Sequence, residues 1–202
     1  MRYKISDQKG LNFITITVVD WIDLFARKIL SEIIITSIAH CRNKKGLKIF
    51  GYVIMSSNVH LIVRASEEQE LSAIIRDFKS YTARKIIQFL KDKVSRESRK
   101  EWLLDHFQYA AKLDGKNRNY KVWQIGNRPI ELYTPKVIRQ KLDYIHHNPV
   151  VGDIVSLPEH YLYSSASNYQ NAHLPIEDKN NKLAIDLLEG IWNDEGYVFM
   201  GR

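Results

Sequence analysis

Apolar and polar residues alternate along residues 11–18, with Ile14, Ile16 and Val18 on one face and Phe13, Thr15 and Thr17 on the other. A period of two in β-branched residues predicts a strand. From about residue 23 to residue 40 the period lengthens: Phe25, Ile29, Leu30, Ile33, Ile34 and Ile38 share one helical face, and a basic run ending at Gly46 reads as its exit. Residues 47–55 and 59–65 predict the strands of a hairpin turning at Ser56 and Ser57. Residues 71–93 predict the longest helix, burying Leu71, Ile74, Ile75, Phe78, Ile86 and Phe89. A polar helix over 95–113, a loop over 114–119, a short strand over 120–124 and a turn over 126–129 follow.

The next helix, residues 134–148, carries its own signals. Thr134 and Pro135 suit an N-cap and a first helical position, and Pro149 is expected to end the helix at Asn148. Ile138, Leu142 and Ile145 form an apolar stripe; Val137, Lys141, Tyr144 and Asn148 form a second stripe with polar tips beside it. Beyond Pro149 the chain turns loop-rich, with a polar excursion over 172–181 and a short helix expected over 183–188. The order β-α-β-β-α-(insert)-β-α predicts an α+β fold. It is a ferredoxin-like antiparallel sheet with helices packed on one face, plus an added C-terminal helix and tail. Residues 1–150 form the expected domain, and 151–202 an extension packed on it.

Charge changes the picture. The chain carries +7 in all, but three cations meet eight carboxylates after Val150, so the extension is −5 and the first 150 residues are +12. A basic body of that kind suits a polyanion. Arg76, Lys79, Arg84 and Lys85, on the wet side of the longest helix, are the candidate phosphate contacts. The single cysteine, Cys41, leaves no disulfide framework or thiolate metal cluster within one chain and fits a reducing cytoplasm. No apolar run approaches the ~18 residues of a membrane span. The apolar start imitates a signal peptide, but alternating threonines and the lack of a small-residue cleavage site favour a strand.

Candidate chemistry concentrates in two places. Asn58 and His60, two apart in the return strand, point to the same face of the sheet. With Asn148 they make an oxygen-and-nitrogen set suited to a hard divalent cation, one helical turn from the Tyr144 phenol. His146 and His147 read as solvated or capping side chains at a helix end.

Three blocks in this order, G-Y-V-I-M-S-S-N-V-H-L-I-V, W-Q-I-G-N-R-P-I-E-L and K-V-I-R-Q-K-L-D-Y-I-H-H-N-P-V, closely resemble the single-tyrosine HUH transposases. Within them the chain looks most like the branch containing the REP-associated tyrosine transposases. The resemblance runs from the first strand through Y-L-Y-S-S-A-S-N-Y. It implies metal-dependent cleavage and rejoining of single-stranded DNA, often beside a hairpin, through a 5′-phosphotyrosine link. Tyr144 matches the nucleophile, and His60 and Asn148 match two ligands of a Mg²⁺ or Mn²⁺ ion. Asn58 stands where the family carries its first histidine, and Arg128 where relatives commonly carry a histidine before the proline. The Asn58 departure leaves a second expectation beside the first: a DNA-hairpin-binding protein derived from a transposase whose metal site has decayed. Whether the chain acts as a homodimer stays open.

Overall fold

The computed structural model describes residues 4–115, 119–170, 182–186 and 188. Four strands, β1 (Asn12–Thr17), β2 (Leu47–Ile54), β3 (Asn58–Ala65) and β4 (Ile130–Glu131), form one antiparallel sheet in the order β2-β3-β1-β4. That is the ferredoxin-like order, with the α+β class expected from the sequence. β1 lies inside the sheet because alternation gives it two apolar faces to bury: Ile14 and Ile16 on one, Phe13 on the other.

Two helices, α1 (Lys28–Lys44) and α2 (Leu71–Lys91), cover the first face, and a third, α3 (Lys100–Leu113), packs on α2. Their core joins Leu30, Ile34 and Ile38 to Ile75, Phe78 and Ile86 over Ile14, Ile16, Leu61 and Val63. The opposite face is covered by α4 (Pro135–Val151), whose Leu142 and Ile145 pack on Phe13, Val53 and Ile62. The chain thus places helices on both faces, with α4 on the face opposite α1 and α2.

Several boundaries differ from the sequence expectation. α1 begins at Lys28 because residues 19–26 form two short 3-10 turns, with Asp20 and Trp21 at positive φ. The second turn is tied to the hairpin loop, Phe25 N–H donating to Ser56 O at 2.8 Å. α3 starts at Lys100, since Glu97, 3% exposed, ties the preceding turn to Arg27 and Arg99. The strand expected over 120–124 is only a bridge, Val18 to Trp123; the β4 ladder comes later and is two residues long. Between them Gly126 and Arg128 take positive φ just before Pro129, which breaks the ladder.

α4 does not stop at Asn148. It runs through Pro149 to Val151, with Gly152 N–H bonded to Asn148 O and Ile154 N–H to Pro149 O, both at 2.9 Å. So close to the end, a missing N–H costs the helix one bond and leaves no long segment to kink. The expected helix over 183–188 is not formed where it is described: Asp186 instead bonds the outer edge of β2, accepting from Ile49 N–H at 3.0 Å and donating to Ile49 O at 2.7 Å. The same edge is bound by Tyr163 O on Ile54 N–H, and by Ser165 on both backbone groups of Tyr52. The 172–181 excursion lies outside the described residues. A short helix, α5 (Ala166–Gln170), brings Tyr169 into the α4 core.

Gly51 sets how close α4 comes to the sheet. A Cβ there would lie 2.8 Å from Ile145 Cδ1 and 2.9 Å from Leu142 Cδ1. Those atoms are side-chain ends, so Gly51→Ala can repack, whereas Gly51→Val overfills the contact. We expect Gly51→Val to cost about 1–3 kcal/mol, seen in thermal melts as a drop of about 3–10 °C. A melt unchanged from wild type would mean that α4 is not held this closely.

Candidate active site

Four side chains from three elements meet on the α4 face. Phe13 and Thr15 come from β1, His60 from β3, and Tyr144 from α4. The strand alternation that sends Leu61 and Val63 into the α1–α2 core turns His60 and Ile62 the other way. Tyr144 sits beside the buried Ile145, on the rim of the α4 contact, and stays 47% exposed. Its ring stands edge-on to His60 at 5.5 Å between centroids and edge-on to Phe13 at 6.0 Å, while Phe13 and His60 stack at 5.5 Å. Lys141, one turn earlier on α4, holds its Nζ 5.1 Å from the Phe13 centroid and 5.6 Å from that of Tyr144.

His60 Nδ1 shares a hydrogen bond of 2.9 Å with the Thr15 hydroxyl, its partner across β1 and β3. When Nδ1 donates in that bond, Nε2 is left with its lone pair, the arrangement a metal-binding imidazole uses. Burial, aided by the nearby Lys141 charge, pulls the His60 pKa down to about 4. The ring is therefore neutral near pH 7, as a ligand must be.

Asn58 faces the same way as His60 and is paired with Thr17 in the same register that joins His60 to Thr15. Its Oδ1 is buried without a hydrogen-bond partner, and so is the Asn148 Nδ2. Amide oxygen and nitrogen can be exchanged by a flip, so each asparagine can offer an unspent oxygen. Two unspent amides and a neutral imidazole fit a hard divalent cation. The set is uncharged, however, and among the described residues no group of three or more His, Cys, Asp or Glu could hold a metal. His60, Asn58 and Asn148 themselves bring no anionic oxygen to a cation.

The histidines after the tyrosine part ways. His146 is not solvated: it is fully buried, with Nε2 2.8 Å from Ser165 Oγ and its ring against Tyr169. His147 Nδ1 lies 3.0 Å from Asp143 O, within its own helix. Burial drives the His146 pKa from 6.5 to about 3. Since the folded value is lowered, its stabilising effect is complete above the unfolded pKa and is lost as pH falls from there toward the folded one. We expect acid to destabilise the fold across this window, His146 contributing up to about 1.4 kcal/mol per pH unit. His146→Gln should flatten a urea-unfolding series over the same range; an unchanged slope would assign the acid sensitivity elsewhere.

The candidate phosphate contacts are not brought to Tyr144. They belong to α2, on the other face of the sheet. Arg76 pairs with Asp77 at 3.2 Å, Lys85 lies 3.4 Å from Gln88 Oε1, and Arg84 lines the clefts on both sides of α2. Lys79 donates to Gln124 O, Gly126 O and Asn127 Oδ1 at 2.9, 3.0 and 3.1 Å, fastening the loop that breaks the fourth strand. Thr15 and Lys141 do not stand out in the sequence as site residues. For Lys141 the available signal is its spacing of three from Tyr144; for Thr15 it is the register opposite His60.

No curated protein matches the chain. Among solved structures, a REP-associated tyrosine transposase bound to a REP hairpin covers 100% of this chain and 99% of its own, at 16% identity and a TM-score of 0.56, a likeness of fold. A putative transposase from Deinococcus radiodurans R1 covers 76% of this chain and 98% of its own, at 12% identity and a TM-score of 0.38, too low to bear on the fold. A family model described as "Transposase IS200 like" matches residues 16–132, from β1 through the β2–β3 hairpin to β4, and ends before α4. Since that match takes in more than half of the chain, the protein belongs to the IS200-like transposase family.

Proposed function

We propose that this protein cuts and rejoins single-stranded DNA through Tyr144, forming a 5′-phosphotyrosine link and a free 3′-OH. The observation that carries the reading is the half-exposed Tyr144 phenol standing edge-on to the buried, neutral His60, with Asn58 two residues before His60 on β3 and Asn148 one turn after Tyr144 on α4, each with an unspent amide atom. In the cutting step the Tyr144 Oη–P bond forms as the P–O3′ bond breaks; the phenol gives up its proton and the 3′ oxygen gains one. One phosphodiester replaces another, so rejoining needs no nucleotide cofactor. A phenol with pKa ~10 is a weak nucleophile, and help at the phosphate is needed. His60, Asn148 and Asn58 would hold Mg²⁺ or Mn²⁺, which supplies positive charge to the non-bridging oxygens when bound. His60 is oriented for this by Thr15, and Phe13 packs against its ring on one side.

Arg84 and Lys85, with Arg76, are assigned to DNA backbone away from the cut, since α2 lies across the sheet from Tyr144. The test of the cutting reading is a covalent adduct between the protein and a labelled DNA hairpin with single-stranded flanks, in Mn²⁺ and in EDTA. A second reading, hairpin binding without cutting, is favoured by Asn58 and the uncharged ligand set. It is the outcome if DNA is bound and no adduct forms in any divalent ion. Both readings require strong salt dependence. With about four phosphate contacts on a single strand, affinity should fall about 50-fold from about 50 to about 200 mM salt. A flat salt series would remove the basic body from DNA recognition.

A further inference from the structure

Lys141 is a cation held where a phosphate is wanted. It lies three residues before Tyr144 and so shares its helix face. Its ammonium sits over the Phe13 and Tyr144 rings at 5.1 and 5.6 Å, and among the described residues no carboxylate forms an ion pair with it. Attraction to the ring faces holds such an ammonium in place without neutralising it. His60, Asn58 and Asn148 bring no negative charge, so among the described residues of this cluster the Lys141 ammonium meets no anion.

We infer that Lys141 is a phosphate seat beside Tyr144, taking a non-bridging oxygen of the DNA backbone at the point of attack without needing a metal. The assignment rests on Tyr144 as nucleophile for its role in cutting, though the phosphate contact itself can be measured apart from cutting. In the step it serves, the Tyr144 Oη–P bond forms and the P–O3′ bond breaks. Lys141 keeps its three protons and holds an oxygen that is neither attacking nor leaving. A seat of this kind matters more here than beside a histidine pair. With Asn58 in the ligand set a cation would be held more weakly than by a histidine pair, and a charge built into the chain would take over part of its work at the phosphate. Lys141 also joins the two faces of the problem, because the same ammonium that meets the phosphate packs on the nucleophile's ring.

The test uses the full chain carrying Tyr144→Phe, so that nothing is cut, and a short oligothymidylate in EDTA, whose linkages are all equivalent. Binding is measured across a salt series for this protein and with Lys141→Gln or Lys141→Arg added. Loss of one single-strand phosphate contact should lower the slope of log K against log salt by about 0.7. We expect that drop, with an affinity loss of about fivefold at low salt, for the glutamine variant, and near-complete rescue by arginine. An unchanged slope for Lys141→Gln overturns the assignment. So does an equal loss in the glutamine and arginine variants, which would mark a packing role. Separately, the chain with Tyr144 intact is tested for its adduct on a flanked hairpin in Mn²⁺, with and without Lys141→Gln. If the slope falls as expected but no adduct ever forms, the strand-cutting reading fails and the phosphate seat stands. If an adduct forms at the same rate in both proteins, Lys141 is not at the point of attack.

Discussion

Tyr144→Phe is expected to abolish the covalent protein–DNA adduct while changing hairpin affinity by less than about 1 kcal/mol. The substitution removes one oxygen and keeps the ring. The edge-on contacts with His60 and Phe13, and the Lys141 ammonium over the ring, are made by carbon atoms that phenylalanine retains. The hydroxyl is also the only atom of the side chain that can form a bond to phosphorus. The three tyrosines of the late segment have their hydroxyls engaged: Tyr161 donates to Ile54 O, Tyr169 to Phe50 O, and Tyr163 to Glu32. Gel shift and denaturing gels on one labelled hairpin separate binding from the covalent link. An adduct of undiminished yield with the phenylalanine variant would move the nucleophile elsewhere. Loss of binding together with loss of the adduct would mean that the hydroxyl positions DNA.

The second large effect concerns Asn58. Asn58→His should tighten Mn²⁺ binding about tenfold or more, because an imidazole nitrogen is a better donor to that ion than a neutral amide. The surroundings favour the change. His60 is oriented by Thr15 directly across the β1–β3 ladder, and Thr17 stands in the same relation to residue 58. A histidine placed there finds a hydroxyl already in register to fix its ring. The atom it replaces, Asn58 Oδ1, is buried and unpartnered, so no existing hydrogen bond to that oxygen is lost. Calorimetry with Mn²⁺ measures the first half of the expectation and adduct yield the second. Tighter metal without more adduct would favour the hairpin-binding reading; no change in either would sink the metal site.

The parts of this structure that could be read from the sequence are those where one local signal decides. The β2–β3 hairpin and the start of α4 each have a clear period with a turn or cap, α2 has a clear period over 21 residues, and Thr134 Oγ1 does accept from Val137 N–H. Elsewhere, contacts distant in sequence override the local signal. The helical period after residue 22 is real, but the Phe25 bond to the hairpin loop holds the first turns out of α1. Pro149 reads as a stop, but it is buried and so near the helix end that the chain carries through. Leu183 is buried as a helical stripe would demand, yet Asp186 is taken by a strand edge. In the site, same-face spacing brings Asn58 to His60 and Lys141 to Tyr144, but it cannot show that His146 lies beneath α4 on Ser165. Nor can it show that Lys79 spends its donors on a loop, because both depend on segments far along the chain.

The outer edge of β2 also has a meaning for assembly. An unpaired edge strand is a template on which a second copy can lay a strand of its own and continue the sheet. Here the outward backbone groups of Ile49, Tyr52 and Ile54 are already engaged by Asp186, Ser165 and Tyr163, and the Tyr161 hydroxyl takes the Ile54 carbonyl. Edge-to-edge joining through β2 would first have to peel these groups away, exposing Tyr163 and Tyr169 as it did so. The chain's own late segment therefore serves as a guard on that border.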